Sequence, residues 1–500
     1  MPRMKWNEFV AAGFATLLAG CTVGPDYHSP QTRVPERWHE LPADGVIQPA
    51  TQPAPTPTAA APADLAQWWR SFADPQLDRL IERAASANLD LRIAEARVRE
   101  ARAQRGVVAG ERYPTVNGSG AYARREPSES GAEARLFSPV TGLIGLSKSG
   151  LGYELYQMGF DASWELDLFG RVRRGVEAAD ANTAAAIEGH QDLLISLEAE
   201  VARNYIEMRG AQRRLAIARE NVAAQAATLE LARQRRSVGA VTELDVTRAA
   251  AQLSLSEAYV PLFVRQIRLS LHALSVLLNE DLDALSSELS AEGTTPVVST
   301  EIPLGLPADL LRRRPDIRRA ERQLAGATAQ IGAAIADLFP RMGISGTIGL
   351  ESTEFPNLAD WSSHTFGFGP WIRWPVFEGG RIRANIQVQD ARQEQALAQY
   401  ERVVLNAVRE VEDALVACTT EQTRRRALAD AVESSRQAVE LAQLSYEEGA
   451  TDLLAVLDTQ RTLYAAQDAL AGADQTVVLS LIALYKALGG GWDVGEVKPL

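Results

Sequence analysis

The strongest constraint on this chain is that it is written twice. The stretch from Asp90, "DLRIAEARVREARAQRGVVAGERYPTVNGSG", aligns without a gap on "DIRRAERQLAGATAQIGAAIADLFPRMGISG" from Asp316, pairing Glu95 with Glu321, Gly106 with Gly332, Pro114 with Pro340 and Gly120 with Gly346. Further on, Trp164, Gly170, Arg171 and Arg173 answer to Trp374, Gly380, Arg381 and Arg383, and Gly239, Leu244 and Val246 to Gly449, Leu454 and Val456. A fixed internal period means one supersecondary unit used repeatedly. The domains follow: residues 64–290 form a first repeat of short helix, two strands and long helical hairpin, and residues 291–500 form a second, ending in a C-terminal segment.

Within each repeat the longest element is a helix. No proline interrupts Val172 to Ser237, so a continuous helix there would run about 99 Å. The equal spacing of Arg171 to Gly239 and Arg381 to Gly449 predicts equal lengths in both halves. Ile187, Leu194, Val201, Met208, Leu215, Val222 and Leu229 recur every seven residues, matched by Leu397, Val404, Val411, Cys418, Arg425, Val432 and Val439. A strict heptad seam winds neighbouring helices into a left-handed coil. Cys418 then reads as a small apolar residue in that seam. Pro261 interrupts the returning helix and predicts a kink.

The strands carry a different period. In "MGFDASWELDL", Met158, Phe160, Ala162, Trp164, Leu166 and Leu168 fall on one face, with Asp161, Ser163, Glu165 and Asp167 on the other. Phe366, Phe368, Ile372, Trp374 and Val376 repeat the pattern, while the strands near Thr115 to Tyr122 and Arg341 to Leu350 alternate more weakly, with glycines on the apolar face. Such alternation suits a half-buried soluble sheet or a membrane barrel. Four strands cannot close a barrel, since about eight is the smallest. Two copies would supply eight and a filled interior, three copies twelve and a lumen. Open edges are excluded from hydrocarbon because unpaired backbone groups cost several kcal/mol each.

The N-terminus adds an address. Arg3 and Lys5 precede an apolar run from Phe9 to Leu18 and the small residues Ala19 and Gly20, the layout of a secretory signal over residues 1–20. Leu18 to Cys21 resembles the lipobox of bacterial lipoproteins, which makes Cys21 the acylated N-terminus, carrying diacylglycerol and an N-acyl or palmitoyl chain. Thr22 in place of aspartate implies sorting to the outer membrane. Residues 21–63, rich in Pro, Ala and Thr, read as a lipid-anchored linker. With Cys21 acylated, Cys418 is the only thiol left. A net charge of −13 argues against nucleic acid. The five histidines stand singly, with no metal-binding spacing or nucleophile motif, so neither metal, other cofactor nor enzyme activity is expected.

Four motifs in register carry a family likeness: the lipobox followed by "GPDY", "RRRPDIRRAERQLAGATAQIGAA" from Arg312, "YEEGATDLLAVLDTQRTLYAAQ" from Tyr446, and "LYKALGGGW" ending at Trp492. Together they resemble the TolC-like outer membrane factors, most closely the OprM-type lipoproteins. The resemblance implies a mainly α fold with a transmembrane β-barrel: a homotrimer with a twelve-stranded barrel, four strands per chain, continuing into a long α-helical barrel. It implies the exit duct of a tripartite efflux pump, docked on a periplasmic membrane-fusion adaptor and an inner-membrane transporter of the resistance-nodulation-division class. Type I secretion, a passive porin and a periplasmic coiled-coil tether are the alternatives. A porin would not need the long helices, and a tether would not need the strands.

The candidate gate lies where the helices turn. Gly239 and Gly449 end the long helices, and glycine tolerates the left-handed conformation such ends require. Val238, Gly239, Ala240 and Gly449 are therefore the expected tip contacts for the adaptor. Leu454, Asp458 and Arg461 stand at i, i+4 and i+7, on one helical face. By resemblance Leu454 and Asp458 match the constriction residues, Arg461 their partner, and Tyr446 the tyrosine of the tip network. Thr451 and Ala455 depart from the TolC pattern of an arginine and a second aspartate. Arg248 is expected to reach Asp458 between hairpins. Cargo is not written in the chain, and the loop from 124 to 152 exceeds its counterpart by 16 residues.

Overall fold

The computed structural model describes residues 22–31, 34–35, 37–40, 62–126, 128, 152–290, 309 and 313–492. The expected signal, Cys21, most of the linker and most of the loop after Arg125 lie outside the described residues.

After a 3-10 segment, Pro62–Phe72, come α1 (Pro75–Ala87), α2 (Leu89–Gly110), β1 (Thr115–Arg125), β2 (Tyr153–Leu166), α3 (Arg171–Ser237), α4 (Glu243–Glu257), α5 (Val260–Leu278) and α6 (Ala284–Glu288). The second half answers with α7 (Pro315–Ala336), β3 (Arg341–Ser352), β4 (His364–Arg373), α8 (Arg381–Glu447) and α9 (Leu453–Ala487). Both long helices have 67 residues, so the equal spacing in the sequence is realised as equal length. At Pro261 the regular helical hydrogen bonding lapses over Ala258 and Tyr259, both of which keep right-handed helical φ/ψ, and the proline falls in the first turn of α5, where its missing N–H leaves no bond unmade.

The chain divides into two compact units that cut across the repeats. Among the described residues, those within 22–29, 100–183 and 322–397 form the first, and the remainder the second. The first unit holds a single antiparallel sheet in the order β1-β2-β3-β4. Its register carries one face across all four strands. Val116 pairs with Ala162, Gly118 with Phe160, Phe160 with Ile348, Trp164 with Ile344, Ile348 with Phe366, and Gly346 with Phe368. The weakly alternating strands are explained here: the glycines on the apolar face make room for residues of the neighbouring strand, Gly118 for the Phe160 ring and Gly346 for the Phe368 backbone and Cβ. The opposite face is polar, and Asn117 donates to Asp161 (3.1 Å) and Gln157 to Glu351 (2.6 Å) across strands.

Repeat symmetry extends to single hydrogen bonds. The matched indoles hold the helix-to-strand turns: Trp164 donates to the Arg112 carbonyl (2.9 Å) and Trp374 to the Leu338 carbonyl (3.0 Å).

The second unit carries the larger core. Trp68, Phe72, Leu77, Leu80, Ile81, Tyr205, Met208, Leu274 and Leu278 pack together with Ile482 and Tyr485 of α9. The heptad seam is buried at Val201, Met208, Leu215 and Leu229 of α3 and at Val404, Val411, Cys418, Val432 and Val439 of α8. Cys418 sits among Val411, Ala414 and Leu415, and burial pushes its thiol up to about 12.

Candidate functional site: the helical tips

Both long helices end in the same way. Gly239 (φ 79°) and Gly449 (φ 75°) adopt the left-handed conformation. The Gly239 N–H donates to Arg236 and the Ala240 N–H to Arg235, while Gly449 donates to Tyr446 and Ala450 to Ser445. This paired closure satisfies the last carbonyls of each helix. The next helices start with acidic caps. Asp245 accepts from the Thr242 backbone (2.9 Å) and hydroxyl (2.7 Å), bonds that hold its carboxyl below the usual range, and Asp452 accepts from the Ala455 N–H (3.1 Å). Val238, Gly239, Ala240 and Gly449 are all exposed, as a tip contact requires.

On α9 the expected face forms. Leu454 is 49% exposed, and Asp458 and Arg461 point to solvent, joined by an ion pair of 2.5 Å. The opposite side of the same turns packs inward: Leu453, Val456 and Leu457 join Leu229, Ala232, Ala249 and Tyr446 in one apolar cluster. Gln460 donates to the Thr228 hydroxyl of α3 at 3.0 Å. Within one chain the expected link from Asp458 to Arg248 is not made. Asp458 takes Arg461, and Arg248 is exposed on α4, its charge acting on Asp245. Thr451 and Ala455 are half-buried. A pair as open as Asp458 with Arg461 adds about 0 to 1 kcal/mol to stability, so it acts here as a charge display rather than as a fold determinant.

Tyr446 does not lie on that face. It is 4% exposed, and its hydroxyl has no hydrogen-bond partner among the described residues. Its partner is Arg235, a residue that sequence reasoning passed over. The Arg235 guanidinium lies 4.2 Å from the Tyr446 ring centre and donates to the carbonyls of Tyr446 (2.7 Å) and Glu447 (3.1 Å). An arginine from the end of α3 thus caps the C-terminus of α8, where the helix dipole favours a cation. The available signal was the contrast between two basic residues in the last turn of α3 and none in the last turn of α8. Elsewhere on α3 Arg214 makes a two-pronged pair with Asp468 of α9 (2.7 and 2.8 Å) and lies over the Phe263 ring of α5. Burial, first, and the Asp468 charge beside it push the neighbouring Tyr464 hydroxyl up to about 12.

The described residues contain no group of three or more His, Cys, Asp or Glu side chains able to hold a metal ion. The site consists of an exposed apolar and charged face, a capped turn and a helix end held by Arg235.

Comparison with known proteins gives the family. The profile of the family "Outer membrane efflux protein" matches residues 80–280 and 306–490. The chain is 33% identical to the outer membrane protein OprJ of Pseudomonas aeruginosa, over 96% of this chain and 95% of that protein. It is also 33% identical to the toluene efflux pump outer membrane protein TtgF of Pseudomonas putida, over 99% of each. Among solved structures, the outer-membrane channel OprN matches with a TM-score of 0.83 and 36% identity, covering 94% of this chain and all of that one. These relatives are channels and efflux components rather than enzymes. With the profile spanning both repeats and relatives a third identical from end to end, the chain belongs to the outer membrane efflux protein family, the ducts through which efflux pumps discharge across the outer membrane.

Proposed function

We propose that three copies of this chain pool their sheets into a twelve-stranded barrel and their long helices into one duct, narrowed at the periplasmic end by a ring of Leu454 and Asp458. The observation that carries this reading is the sheet. It has two unpaired edges, β1 and β4, and an unbroken apolar face in which Phe366, Phe368 and Ile372 are exposed. Hydrocarbon tolerates such a face and forbids such edges, so joining to further copies is the arrangement that satisfies both.

The duct is the outer membrane member of a tripartite pump. Its exposed tips at Val238 to Ala240 and Gly449 are the surface offered to a periplasmic adaptor, with a resistance-nodulation-division transporter as the energised partner. Cys21 carries the acyl anchor. TtgF is named for toluene efflux and ArpC of Pseudomonas putida for antibiotic efflux, so small organic molecules are the cargo class.

In the closed tip Leu454 fills the axis and three Asp458 carboxylates repel one another unless arginine or bound cations screen them. Adaptor engagement splays the hairpins. The test is single-channel conductance in planar bilayers. Leu454→Ala with Asp458→Ala should raise it severalfold, and an unchanged conductance removes the gate. A detergent-solubilised particle with the mass of one chain and a sealed sheet would remove the barrel.

A further inference from the structure

The duplicated chain is not symmetric where its N-terminal segment lies, and the asymmetry builds a groove. Thr22 packs on Gly170, where a side chain would meet the Thr22 Cγ2 at 2.9 Å. The Val23 N–H donates to the Phe169 carbonyl at 3.2 Å. Gly24 (φ 93°) lies back to back with Gly332 of α7, so that a Cβ on Gly24 would fall onto the Gly332 Cα. The floor of the groove is Arg174, 4% exposed, with all three guanidinium nitrogens engaged. Nη2 donates to Asp26 (2.6 Å) and the Gly24 carbonyl (3.4 Å), Nε to the Val23 carbonyl (3.3 Å), and Nη1 to Glu177 (2.8 Å).

The other half of the duplication serves as an internal control. Gly170 and Gly332 correspond to Gly380 and Gly106, and neither of those has any atom within 4 Å of where a Cβ would stand. Arg174 corresponds to Ala384. The glycines persist in both repeats, but the arginine and the packed segment occur together in only one. A buried arginine spent on three carbonyl and carboxylate groups of a five-residue segment is a receptor for that segment, since an unpaired guanidinium could not stay buried there.

We propose that Arg174 is the lock of a docking groove for the chain's own N-terminal strap, Thr22–Asp26, and that the groove seats the lipid anchor at the junction of β2 and α3. The second half of this statement rests on the acylation of Cys21. Only a peptide bond separates Cys21 from Thr22, so a docked strap leaves the anchor no slack and sets the depth of the sheet in the membrane. A strap left loose would tether the protein without setting its depth.

The test is hydrogen exchange by mass spectrometry on the full chain purified from outer membranes in detergent, reading the peptide over residues 22–29. Gly24→Ala acts from the strap side and Arg174→Ala from the groove side. Each should speed exchange of this peptide at least tenfold while peptides from α8 exchange as in the unaltered protein. Cys21→Ser should leave the strap protected, because Thr22, Val23, Gly24 and Asp26 make the groove contacts described above. Unchanged exchange in Gly24→Ala overturns the lock, and this variant keeps the test decisive if Arg174→Ala fails to fold. The mass of the N-terminal peptide from the same samples reads acylation separately: a bare Cys21 removes the anchoring role and leaves the docking result standing.

Discussion

Replacing Arg235 by alanine is the sharpest perturbation of the tip. The change removes two charge-assisted hydrogen bonds to the end of α8, at 2.7 and 3.1 Å, and a cation lying 4.2 Å from the Tyr446 ring centre. Hydrogen bonds to charged groups contribute about 1.5 to 3 kcal/mol when buried, but Arg235 is half-exposed, and about 1 kcal/mol for the two together is the appropriate scale. The ring contact adds about 0.5 to 1 kcal/mol. Taken as additive, these contributions come to about 1.5 to 2 kcal/mol for the docking of α8 on α3. If opening of the proposed gate separates these helix ends, the open population rises about 10- to 30-fold. Bilayer recording of open time in Arg235→Ala measures this directly. Arg235→Lys, which keeps the charge and loses the fork, should recover part of the closure. Tyr446→Phe should be near neutral because the hydroxyl has no partner among the described residues, whereas Tyr446→Ala should resemble Arg235→Ala. If Arg235→Ala gates as the unaltered channel does while Leu454→Ala with Asp458→Ala opens it, the contact is not broken on opening and the reasoning fails.

Two further outcomes follow from buried groups. Glu198 is 3% exposed, its Oε2 has no partner among the described residues, and burial alone holds its carboxyl well above the usual range. A raised acid gives stability that is complete below its unfolded value, near 4.5, and is lost as pH rises toward the folded one, at up to about 1.4 kcal/mol per pH unit. Glu198→Gln should therefore melt near the unaltered protein at pH 4 and above it at pH 8; parallel melting profiles would mean that the carboxyl is already paired. Cys418, buried in the seam with its thiol pushed up to about 12, should stay unlabelled by a maleimide at pH 8 until detergent unfolds the chain. Rapid labelling of the folded protein would show that the seam between helices is open.

Features set by local periodicity were legible in the sequence. The seven-residue seam, the two-residue alternation of the strands and the positive-φ glycines at the tips each follow from a single segment, and each appears where the spacing put it. The kink expected at Pro261 was legible for the same reason, since the ring alone removes a helical hydrogen bond, and the bonding lapses just before it. What escaped reading depends on which distant segments meet. Tyr446 stands eight positions before Leu454 and was grouped with the gate by motif. The intervening turn at Gly449, however, ends one helix and begins another, so the helical period does not carry across it, and the ring lands in the core beside Arg235. Arg174 looked like one more arginine in a basic stretch, "RVRRG". Its distinction comes from a segment 148 residues away in sequence, and no spacing rule reaches that far.

The places that resisted reading share a cause. A duplicated chain begins with two copies of every contact, and alike surfaces meet alike surfaces poorly when both carry the same charge. At the tips the two halves have diverged into complements: Arg235 and Arg236 end α3, where Ser445 and Tyr446 stand at the matching positions of α8, and Ser237 and Val238 correspond to Glu447 and Glu448. Two arginine-ended helices side by side would repel, and neither could offer carbonyls free of a competing cation. One basic end against one without basic residues lets Arg235 serve as the cap α8 lacks. The strap shows the same divergence, with Arg174 in one half and Ala384 in the other. Symmetry in this chain builds what must be continuous, the sheet face and the equal helices. Departure from symmetry marks where parts must recognise one another.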